Sequence, residues 1–291
     1  MSSIVVTGAN GMLGSSLIPR LLVGGHRVVS VGRTSAAKTT IIDYESIESV
    51  YAVLDEINPD IIINLAALTN VDECERCPHD AYTANVGIVE SLVSWIKKSK
   101  NCHLVQISTD QVYDGLERPI EKNIKILNHY AFSKYAGEIV ARGVSSTILR
   151  TNYFGRSLNP SRRSFSDWAV GELRMGRKMT LFSDVFFSPL ALDTLCNYIC
   201  LIIKNPVQGT FNLGSKNGFC KADFVISLAA LLNLSIANTQ KGSVTEFDLN
   251  APRPSDMRME CSKFERTINL KLPTLDEEIK SIEKDYLNAI R

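Results

Sequence analysis

Three spaced glycines near the start of the chain constrain the fold more than any other feature. Gly8, Gly11 and Gly14 follow a short β-branched segment at residues 4–7 and open a run of apolar residues at helical spacing, residues 12–22. Glycines in this position permit a tight turn, the approach of backbone amides to a pyrophosphate, and close packing of the helix on the strand. The helix N-terminus adds a partial positive charge. The segment therefore predicts a dinucleotide-binding strand–turn–helix unit.

The residues of this turn are candidate cofactor contacts. Their backbone amides would face the pyrophosphate, and a strand–helix turn with a purely structural role is the alternative. The set expected to line the cofactor is Gly8, Asn10, Gly11, Met12 and Leu13.

The first half of the chain alternates between strand and helix patterns. Strands are predicted at residues 4–7, 27–31, 60–65, 103–107 and 147–150, and helices at 12–22, 46–56, 81–98 and 130–141. This alternation implies right-handed crossovers between parallel strands. We therefore predict an α/β fold with a Rossmann-type, doubly wound parallel sheet.

The alternation weakens after residue 151. Residues 156–166 are rich in Ser, Arg, Asn and Pro and are predicted to form a loop. Later helices are predicted at 193–203, 221–232 and 275–287. We therefore predict an NAD(P)-binding Rossmann domain at residues 1–151. Residues 152–291 are predicted to form mainly a smaller C-terminal substrate-binding lobe, with some segments returning to the Rossmann domain.

Composition and charge narrow the class of partner. The 291 residues are 45% hydrophobic and 22% charged, which is typical of a globular protein. The formal charge of +1 gives no electrostatic footprint for nucleic acid or an anionic membrane. No apolar run approaches the roughly 18 residues of a membrane-spanning helix, and the N-terminus is not expected to be a signal peptide. The partner is therefore expected to be a small molecule or another protein.

The cysteines bear on location and on metal binding. There are seven, an odd number mostly within apolar stretches, so reduced thiols in the cytoplasm are predicted. Cys74 and Cys77, with His79 close behind, form the one cluster that could suggest a metal. No second Cys or His pair has a matching spacing. We therefore expect structural cysteines near a helix start, and no metal site.

The residues after the second predicted strand bear on the choice of cofactor. An acidic residue there would bond the 2′-hydroxyl of NAD, whereas Arg33 could meet the 2′-phosphate of NADP. A solvated arginine at a strand end is the alternative. Asp43 begins the next segment and is expected either near the adenine or as a helix N-cap. The sequence thus favours NADP(H), with NAD(H) as the second choice.

Tyr130 and Lys134 lie four residues apart in a segment with a helical pattern. That spacing places a phenol and an ammonium group on one face of a helix. A nearby positive charge lowers the pKa of a phenol from about 10 toward neutrality, as a proton donor at neutral pH requires. The lysine can also hold ribose hydroxyls of a nicotinamide nucleotide. We therefore predict that both residues are catalytic and border the cofactor.

Thr109 lies at the carboxyl end of the fourth predicted strand, where open α/β sheets bind ligands. A hydroxyl at that place can polarise a substrate carbonyl for hydride attack. The alternative is a strand-end hydroxyl that bonds the local backbone. The glycine turn upstream and Tyr130 downstream favour the catalytic interpretation.

Several groups of residues together resemble the extended short-chain dehydrogenase/reductases and, among them, the dTDP-4-dehydrorhamnose reductases. The resemblance spans nearly the whole chain, and its motifs are more specific for the superfamily than for the substrate. It is carried by the three glycines, by residues 64–72, by residues 108–115, by Tyr130 with residues 134–138, and by residues 150–152 and 253–254.

This resemblance implies a reductase of deoxysugar and polysaccharide biosynthesis. NADPH would deliver hydride to the 4-keto carbon of a nucleotide-linked 6-deoxysugar, and Tyr130 would donate the proton. The implied catalytic residues are Thr109, Tyr130 and Lys134, and the further residues implied to border the cofactor are Ala66, Ala67 and Thr69.

The resemblance also implies a set of substrate contacts in the C-terminal lobe and around the catalytic residues. Arginine suits bidentate binding of a diphosphate, so Arg253 is a candidate phosphate contact, with a surface arginine as the alternative. The implied set is Val71, Asp72, Thr109, Asp110, Gln111, Asn152, Tyr153 and Arg253.

The sequence departs from the family pattern at three places. Gln111 stands where the family usually has Tyr, and Tyr153 stands where it usually has Trp. Ser15 and Ser16 stand where family members that pair through a magnesium ion carry a glutamate. The last difference argues against a metal-bridged dimer, and a homodimer of another kind stays open. The first two leave the identity of the sugar and the nucleotide open.

Two other functions fit the same residues. One is an epimerase, or a reductase of another nucleotide sugar. The other is a non-catalytic regulatory subunit like that of methionine adenosyltransferase, because a fold does not fix a function.

Overall fold

The computed structural model of the chain describes residues 1–32, 39–99, 101–115, 118–159 and 161–287. The Cα positions divide into two compact units, each assembled from several segments of the chain. Unit 1 comprises Met1–Thr109, Asn128–Arg150 and Cys196–Phe211. Unit 2 comprises Asp110–Leu127, Thr151–Leu195 and Asn212–Arg291.

The secondary structure alternates through the first half of the chain. The strands are β1 (Ser3–Thr7), β2 (Arg27–Gly32), β3 (Thr39–Ile41), β4 (Ile61–Asn64), β5 (His103–Thr109), β6 (Ser146–Thr151), β7 (Tyr153–Phe154), β8 (Met179–Phe182), β9 (Phe186–Phe187), β10 (Leu190–Ala191), β11 (Gly209–Leu213), β12 (Phe219–Cys220) and β13 (Thr239–Gly242). The helices are α1 (Met12–Val23), α2 (Ile47–Ile57), α3 (Val71–Arg76), α4 (Pro78–Tyr82), α5 (Ile88–Ser99), α6 (His129–Ala141), α7 (Phe165–Arg174), α8 (Leu192–Lys204), α9 (Lys221–Leu231), α10 (Ser262–Ile268), α11 (Leu275–Ser281) and α12 (Glu283–Leu287).

The central sheet has seven strands among the described residues, in the order β11-β6-β5-β4-β1-β2-β3. Strand β1 pairs in parallel with β2 and β4, β2 pairs in parallel with β3, and β4 with β5. The chain order reverses between β1 and β4. This is the 3-2-1-4-5-6 order of a doubly wound Rossmann sheet, extended by one further strand. The predicted Rossmann-type sheet is confirmed.

The middle of this sheet is buried by helices of unit 1. All four residues of β4 are buried, as the continuous apolar run in this segment predicts. Helices α2 and α5 pack against each other. Their buried residues Leu54, Leu92 and Ile96 form one hydrophobic core with Ile62 of β4. The central strand β4 is therefore packed into the core of unit 1.

Unit 2 has a hydrophobic core of its own. The rings of Phe154 and Phe187 each pack edge-on against Phe224, with centroid distances of 4.9 and 5.3 Å. Helices α7 and α9 pack together in the same core. This core fixes the first turns of the two helices, which carry Phe165 and Lys221.

Two predicted helices are divided. The helix predicted at 81–98 contains a π-helical turn, Thr83–Gly87, between α4 and α5. In this turn the side chain of Asn85 accepts a hydrogen bond from the backbone N–H of Leu68 and donates one to its carbonyl. Such turns are frequent at functional sites. The helix predicted at 275–287 is divided into α11 and α12.

Several elements lie where the sequence pattern indicated none, and β3 and α7 are two of them. Strand β3 pairs with β2 at the sheet edge, and three residues are too few to show a periodicity. Helix α7 begins at Phe165, inside the segment predicted to be a loop. A capping box sets its start, because the Ser164 hydroxyl accepts from the Asp167 N–H at 2.9 Å and the Asp167 carboxylate accepts from the Ser164 N–H at 3.1 Å.

Candidate active site

The glycine turn after β1 has the shape that a close ligand requires. Gly8 has a φ of +63°, which is the left-handed region that favours glycine. A Cβ on Gly8 would lie 2.7 Å from the backbone nitrogen of Ala66, and one on Gly14 would lie 2.5 Å from the carbonyl oxygen of Ala9. Side chains at these two positions would therefore force the turn open. The sequence had suggested that Gly14 lets the helix pack on the strand. In the structure Gly14 instead packs closely against Ala9 within the turn.

A threonine joins the carboxyl ends of β1 and β4. The Thr7 hydroxyl donates to Asn64 Oδ1 at 2.5 Å and accepts the backbone N–H groups of Leu65 and Ala66, each at 3.1 Å. These strands are the pair at which the chain order of the sheet reverses. Ligands of open α/β sheets bind at this place.

The N-terminus of α1 fits an anionic group. Its N-cap is Gly11, no side chain caps the helix, and the first turn carries no acidic residue. The amides of the first turn, at Met12 and Leu13, therefore keep their capacity to bind an anion. The exposed Asn10 lies in the same turn. The turn residues thus fit the pyrophosphate of a dinucleotide, and their contacts with it stay a prediction.

Of the two residues predicted to bear on the choice of cofactor, the structure describes only Asp43. Arg33 lies outside the described residues. Asp43 is exposed, and its carboxylate accepts the N–H of Glu45 at 3.0 Å. The N-cap of α2 is Ser46, whose hydroxyl accepts from Ser49 N–H, so the interpretation of Asp43 as the N-cap was wrong. A cap must lie immediately before the first helical residue, and Asp43 is three residues too early.

The loop that follows β4 carries the next group of predicted cofactor residues. Ala66 and Ala67 are partly exposed and Thr69 is exposed. The loop is held by the two hydrogen bonds between Asn85 and the backbone of Leu68. The Asn85 amide also donates to the Ser133 hydroxyl of α6 at 2.9 Å. Residues 66–69 are therefore accessible to a ligand on a backbone that is held in place.

Tyr130 is buried, with 8% of its surface exposed, in a small cluster beside the same loop. The cluster contains Cys74 and Ala81, and the partly buried Leu68 and Val71 pack against it. Val71, predicted as a substrate contact, is thus packed with the predicted proton donor. Asp72 follows it in α3 and is partly exposed.

Lys134 lies one turn after Tyr130 on α6 and is also buried. Its Nζ donates to the carbonyl oxygen of Ile107 in β5 at 2.7 Å. Burial lowers the pKa of this ammonium group to about 8, and the negative charge of Glu138 opposes the shift. The helix carrying the predicted pair is therefore attached to the strand that ends at Thr109.

A buried ion pair reinforces this attachment. Glu138, one turn further along α6, is fully buried and accepts from Nε and Nη2 of Arg150 at 2.8 and 2.6 Å. It also accepts from the Ser108 hydroxyl at 2.6 Å. Ser108 directly precedes Thr109, which is the last residue of β5 and buried. The fourth strand of the prediction is the fifth in the structure, because β3 had not been recognised.

A cavity of about 500 Å³ lies within unit 2. Among the predicted substrate residues, Gln111, Asn152 and Arg253 line it. Asp110 is buried and accepts from Asn152 Nδ2 at 2.8 Å. Tyr153 is not among the lining residues and belongs to β7, where it pairs with Leu190 of β10. The structure therefore brings together three of the predicted contacts, with Asp110 hydrogen-bonded to one of them.

Sequence reasoning missed most of the cavity wall. Aromatic side chains cover much of it, and a partly buried lysine, Lys221, joins them. The capping-box pattern at Ser164 and Asp167 could have identified helix α7 and the one-turn spacing of its two aromatic residues. No local pattern relates the remaining residues, which come from distant segments. The aromatic residues of the wall are Phe165, Trp168, Phe182 and Phe247.

The cysteine cluster has no metal-site geometry. All seven cysteines are in the described part of the chain and are free thiols. Burial raises the pKa of the Cys74 thiol to about 11, whereas Cys77 is exposed. Within the residues described, no three His, Cys, Asp or Glu side chains are arranged to hold a metal ion. None of the helices in that same part is long and apolar enough to cross a bilayer.

Comparison with known proteins agrees with this geometry. The family model described as the RmlD substrate binding domain matches residues 1–288. A probable low-salt glycan biosynthesis reductase of Haloferax volcanii is 28% identical over an alignment that covers 97% of each chain. A dTDP-4-keto-6-deoxy-D-glucose reductase of Streptomyces niveus is 33% identical over 216 residues, covering 72% of this chain and 71% of that one. The crystal structure of the Bacillus anthracis dTDP-4-dehydrorhamnose reductase in complex with NADP is 25% identical, with a TM-score of 0.87 over 97% of this chain and 98% of that one.

The sheet order and the helix that carries Tyr130 and Lys134 are those of an extended short-chain dehydrogenase/reductase. Within that superfamily the chain belongs to the dTDP-4-dehydrorhamnose reductase family, on the evidence of a family match over nearly its whole length. The family resemblance inferred from the sequence is confirmed.

The Glu138–Arg150 pair predicts non-additive effects on stability. Glu138→Gln or Arg150→Met alone leaves one buried charge without its partner, so each should lower the free energy of unfolding by about 3 to 5 kcal/mol. The double variant should lose clearly less than the sum of the two. Urea denaturation measures all three. Arg142→Met is the matched control, because its half-exposed guanidinium also reaches Glu138 and should contribute less than about 1 kcal/mol. Additive losses would contradict the coupling.

The buried Lys134 predicts a pH-dependent stability difference. Its folded-state pKa lies below the ordinary value of 10.5, so between about pH 8 and 10.5 the unfolded chain binds more protons than the folded one. The stability of the wild type should therefore rise with pH relative to Lys134→Met. At pH 7 the variant should be as stable as the wild type or more stable, by up to about 3 kcal/mol, because no buried ammonium remains.

Urea unfolding of the ligand-free proteins at neutral and alkaline pH measures this difference. Lys284→Met, at an exposed position of α12, is the control and should show no change with pH. A difference between wild type and Lys134→Met that stays constant up to pH 10 would show that the ammonium is not destabilised by burial.

Proposed function

We propose that this protein is an NADPH-dependent reductase of a 4-keto-6-deoxy nucleotide sugar in deoxysugar biosynthesis. The observation that carries the proposal is the buried Tyr130–Lys134 face of α6, attached through Ile107 and Ser108 to the strand that ends at Thr109. Three groups with proton-donating side chains are thus held on rigid elements beside a glycine turn that fits a dinucleotide. The reductases among its relatives support the same reaction class.

Each of the three groups has a distinct task. Thr109 donates a hydrogen bond to the keto oxygen and polarises it. Tyr130 gives its phenolic proton to the same oxygen as the carbonyl is reduced. Lys134 holds the cofactor ribose and keeps a positive charge near the phenol, which favours release of the proton. The reduced nicotinamide, when bound, supplies the hydride.

The residues of unit 1 that would hold the cofactor fit NADP(H). The uncapped N-terminus of α1 receives the pyrophosphate, and the loop at residues 66–69 borders the cofactor. NADP(H) is preferred to NAD(H) because the Bacillus anthracis relative binds NADP and because Arg33 follows the second strand. Asp43 is assigned to the adenine side.

The nucleotide part of the substrate is assigned to the cavity of unit 2. The cavity volume of about 500 Å³ lies in the range of small-molecule sites. Its aromatic wall suits a planar base, and Arg253 suits a phosphate. Val71 and Asp72 are assigned to the sugar. We also propose a cytoplasmic location, which the free cysteines fit.

The two alternative functions, an epimerase and a regulatory subunit, predict different experimental results. An epimerase would return its nicotinamide cofactor unchanged, so it would show no net oxidation on turnover. A regulatory subunit would oxidise no NADPH with any sugar and would copurify with a larger partner. NADPH oxidation against a panel of 4-keto-6-deoxy nucleotide sugars separates both from the proposed reductase.

Removal of one oxygen atom tests the role of Tyr130. Tyr130→Phe should lower kcat by about 100-fold or more, because the proton donor is lost while the ring still fills its buried site. The Kd for NADPH should change less than about 3-fold. Tyr82→Phe is the matched control, since its exposed hydroxyl bonds only Glu90 in the described structure, and it should be fully active. Wild-type turnover by Tyr130→Phe would overturn the mechanism.

A further inference from the structure

Lys221 lines the cavity of unit 2 in an environment that is unusual for a lysine. It is the first residue of α9, and its Nζ lies 3.5 Å from the ring centroid of Phe187 and 4.3 Å from that of Phe165. The ammonium group is thus held between two aromatic faces, which attract a cation and at the same time exclude water from it. Its position is set by rigid neighbours, because both rings belong to or pack against the core of unit 2.

The ammonium group has no hydrogen-bond acceptor among the described residues. No carboxylate, carbonyl or hydroxyl group of those residues accepts a bond from it. The negative charge that acts on it is Asp110, whose carboxylate already accepts from Asn152 at 2.8 Å. Burial lowers the pKa of Lys221 to about 8, and Asp110 opposes that shift. A cation that has lost water and has no acceptor is unfavourable unless a ligand supplies the acceptor.

The charges around the cavity indicate the kind of ligand. Within the described structure the charged lining residues are three cations, Lys178, Lys221 and Arg253, and one anion, Glu172. One Nη of Arg253 already donates to the carbonyl oxygen of Ala251 at 2.7 Å. Lys178 is exposed at the surface. Lys221 is therefore the lining cation that is partly buried and whose three N–H donors have no acceptor among the described residues.

We propose that Lys221 is a specificity-determining residue that binds the diphosphate of the nucleotide-sugar substrate. This assignment rests on the proposed function. The adjacent aromatic wall provides an apolar surface for the base, and the ammonium group provides a fixed cation for the phosphate oxygens. A nucleoside without phosphates would bind the aromatic wall through its base and gain nothing from the ammonium group.

Calorimetric titration with thymidine diphosphate and with thymidine tests the proposal. Lys221→Met retains the length of the side chain and removes its charge, and it should weaken binding of the diphosphate by about 10- to 100-fold, the effect of a charge-assisted hydrogen bond. Thymidine should bind both proteins with the same Kd. Lys221→Arg should restore most of the affinity for the diphosphate.

Lys178→Met is the matched control for a general effect of charge at the same cavity. It should weaken binding of the diphosphate by less than about 3-fold, because its exposed ammonium is hydrated and screened. An equal loss in both variants would overturn the specific role of Lys221. An unchanged Kd for thymidine diphosphate in Lys221→Met, with its NADPH affinity and Tm as in the wild type, would overturn it as well.

A second measurement uses the wild-type protein and does not depend on the folding of any variant. Lys221 can be modified with a limiting amount of an amine-reactive reagent and quantified by mass spectrometry. Saturating thymidine diphosphate should slow its modification about 10-fold or more, whereas thymidine and NADPH should not. Equal modification with and without thymidine diphosphate would contradict the assignment.

The outcomes separate this proposal from the proposed reaction. Binding of thymidine diphosphate that depends on Lys221, without reduction of any 4-keto sugar, would retain the diphosphate site and reject the reductase. Reduction of a nucleotide sugar with the same KM in the wild type and in Lys221→Met would retain the reductase and reject the role of Lys221.

Discussion

The carboxylate of Glu138 is fully buried, and polar groups from two strands converge on it. Ser108 of β5 donates one hydrogen bond, and Arg150 of β6 donates two. Because a buried carboxylate without partners would cost several kcal/mol, α6 is stable only in the register that satisfies these bonds. The same helix carries Tyr130 and Lys134 at one-turn intervals before Glu138. The ion pair therefore fixes the position of the predicted proton donor along the sheet, without itself touching a reacting group.

A second constraint acts at the point where the chain order of the sheet reverses. The Thr7 hydroxyl closes the gap between the ends of β1 and β4, and Gly8 brings the turn against Ala66. Both contacts involve backbone groups, so they shape the turn whatever side chains the loop after β4 carries. The dinucleotide turn and the loop at residues 66–69 are therefore one structure. A change that lengthens either would displace the other.

The parts of the fold that depend on local pattern could be predicted from the sequence, and those that depend on distant partners could not. The glycine turn, the apolar run of β4 and the four-residue spacing of Tyr130 and Lys134 are all local, and each predicted element is present. The π turn at Thr83–Gly87 depends on the backbone of Leu68, far away in sequence, so the pattern indicated an unbroken helix. The cavity wall of unit 2 likewise combines residues from separate segments.

Two lysines have pKa values lowered by burial, and their surroundings suit them to different roles. Lys134 is buried beside Glu138 and donates to the Ile107 carbonyl, so its position is fixed although burial lowers its pKa. Lys221 lies between aromatic faces without an acceptor among the described residues, and burial lowers its pKa as well. A cation with an acceptor inside the protein orients a neighbouring group. A cation without one gains most from an anionic ligand, so the proposed role of Lys221 is in affinity for the ligand.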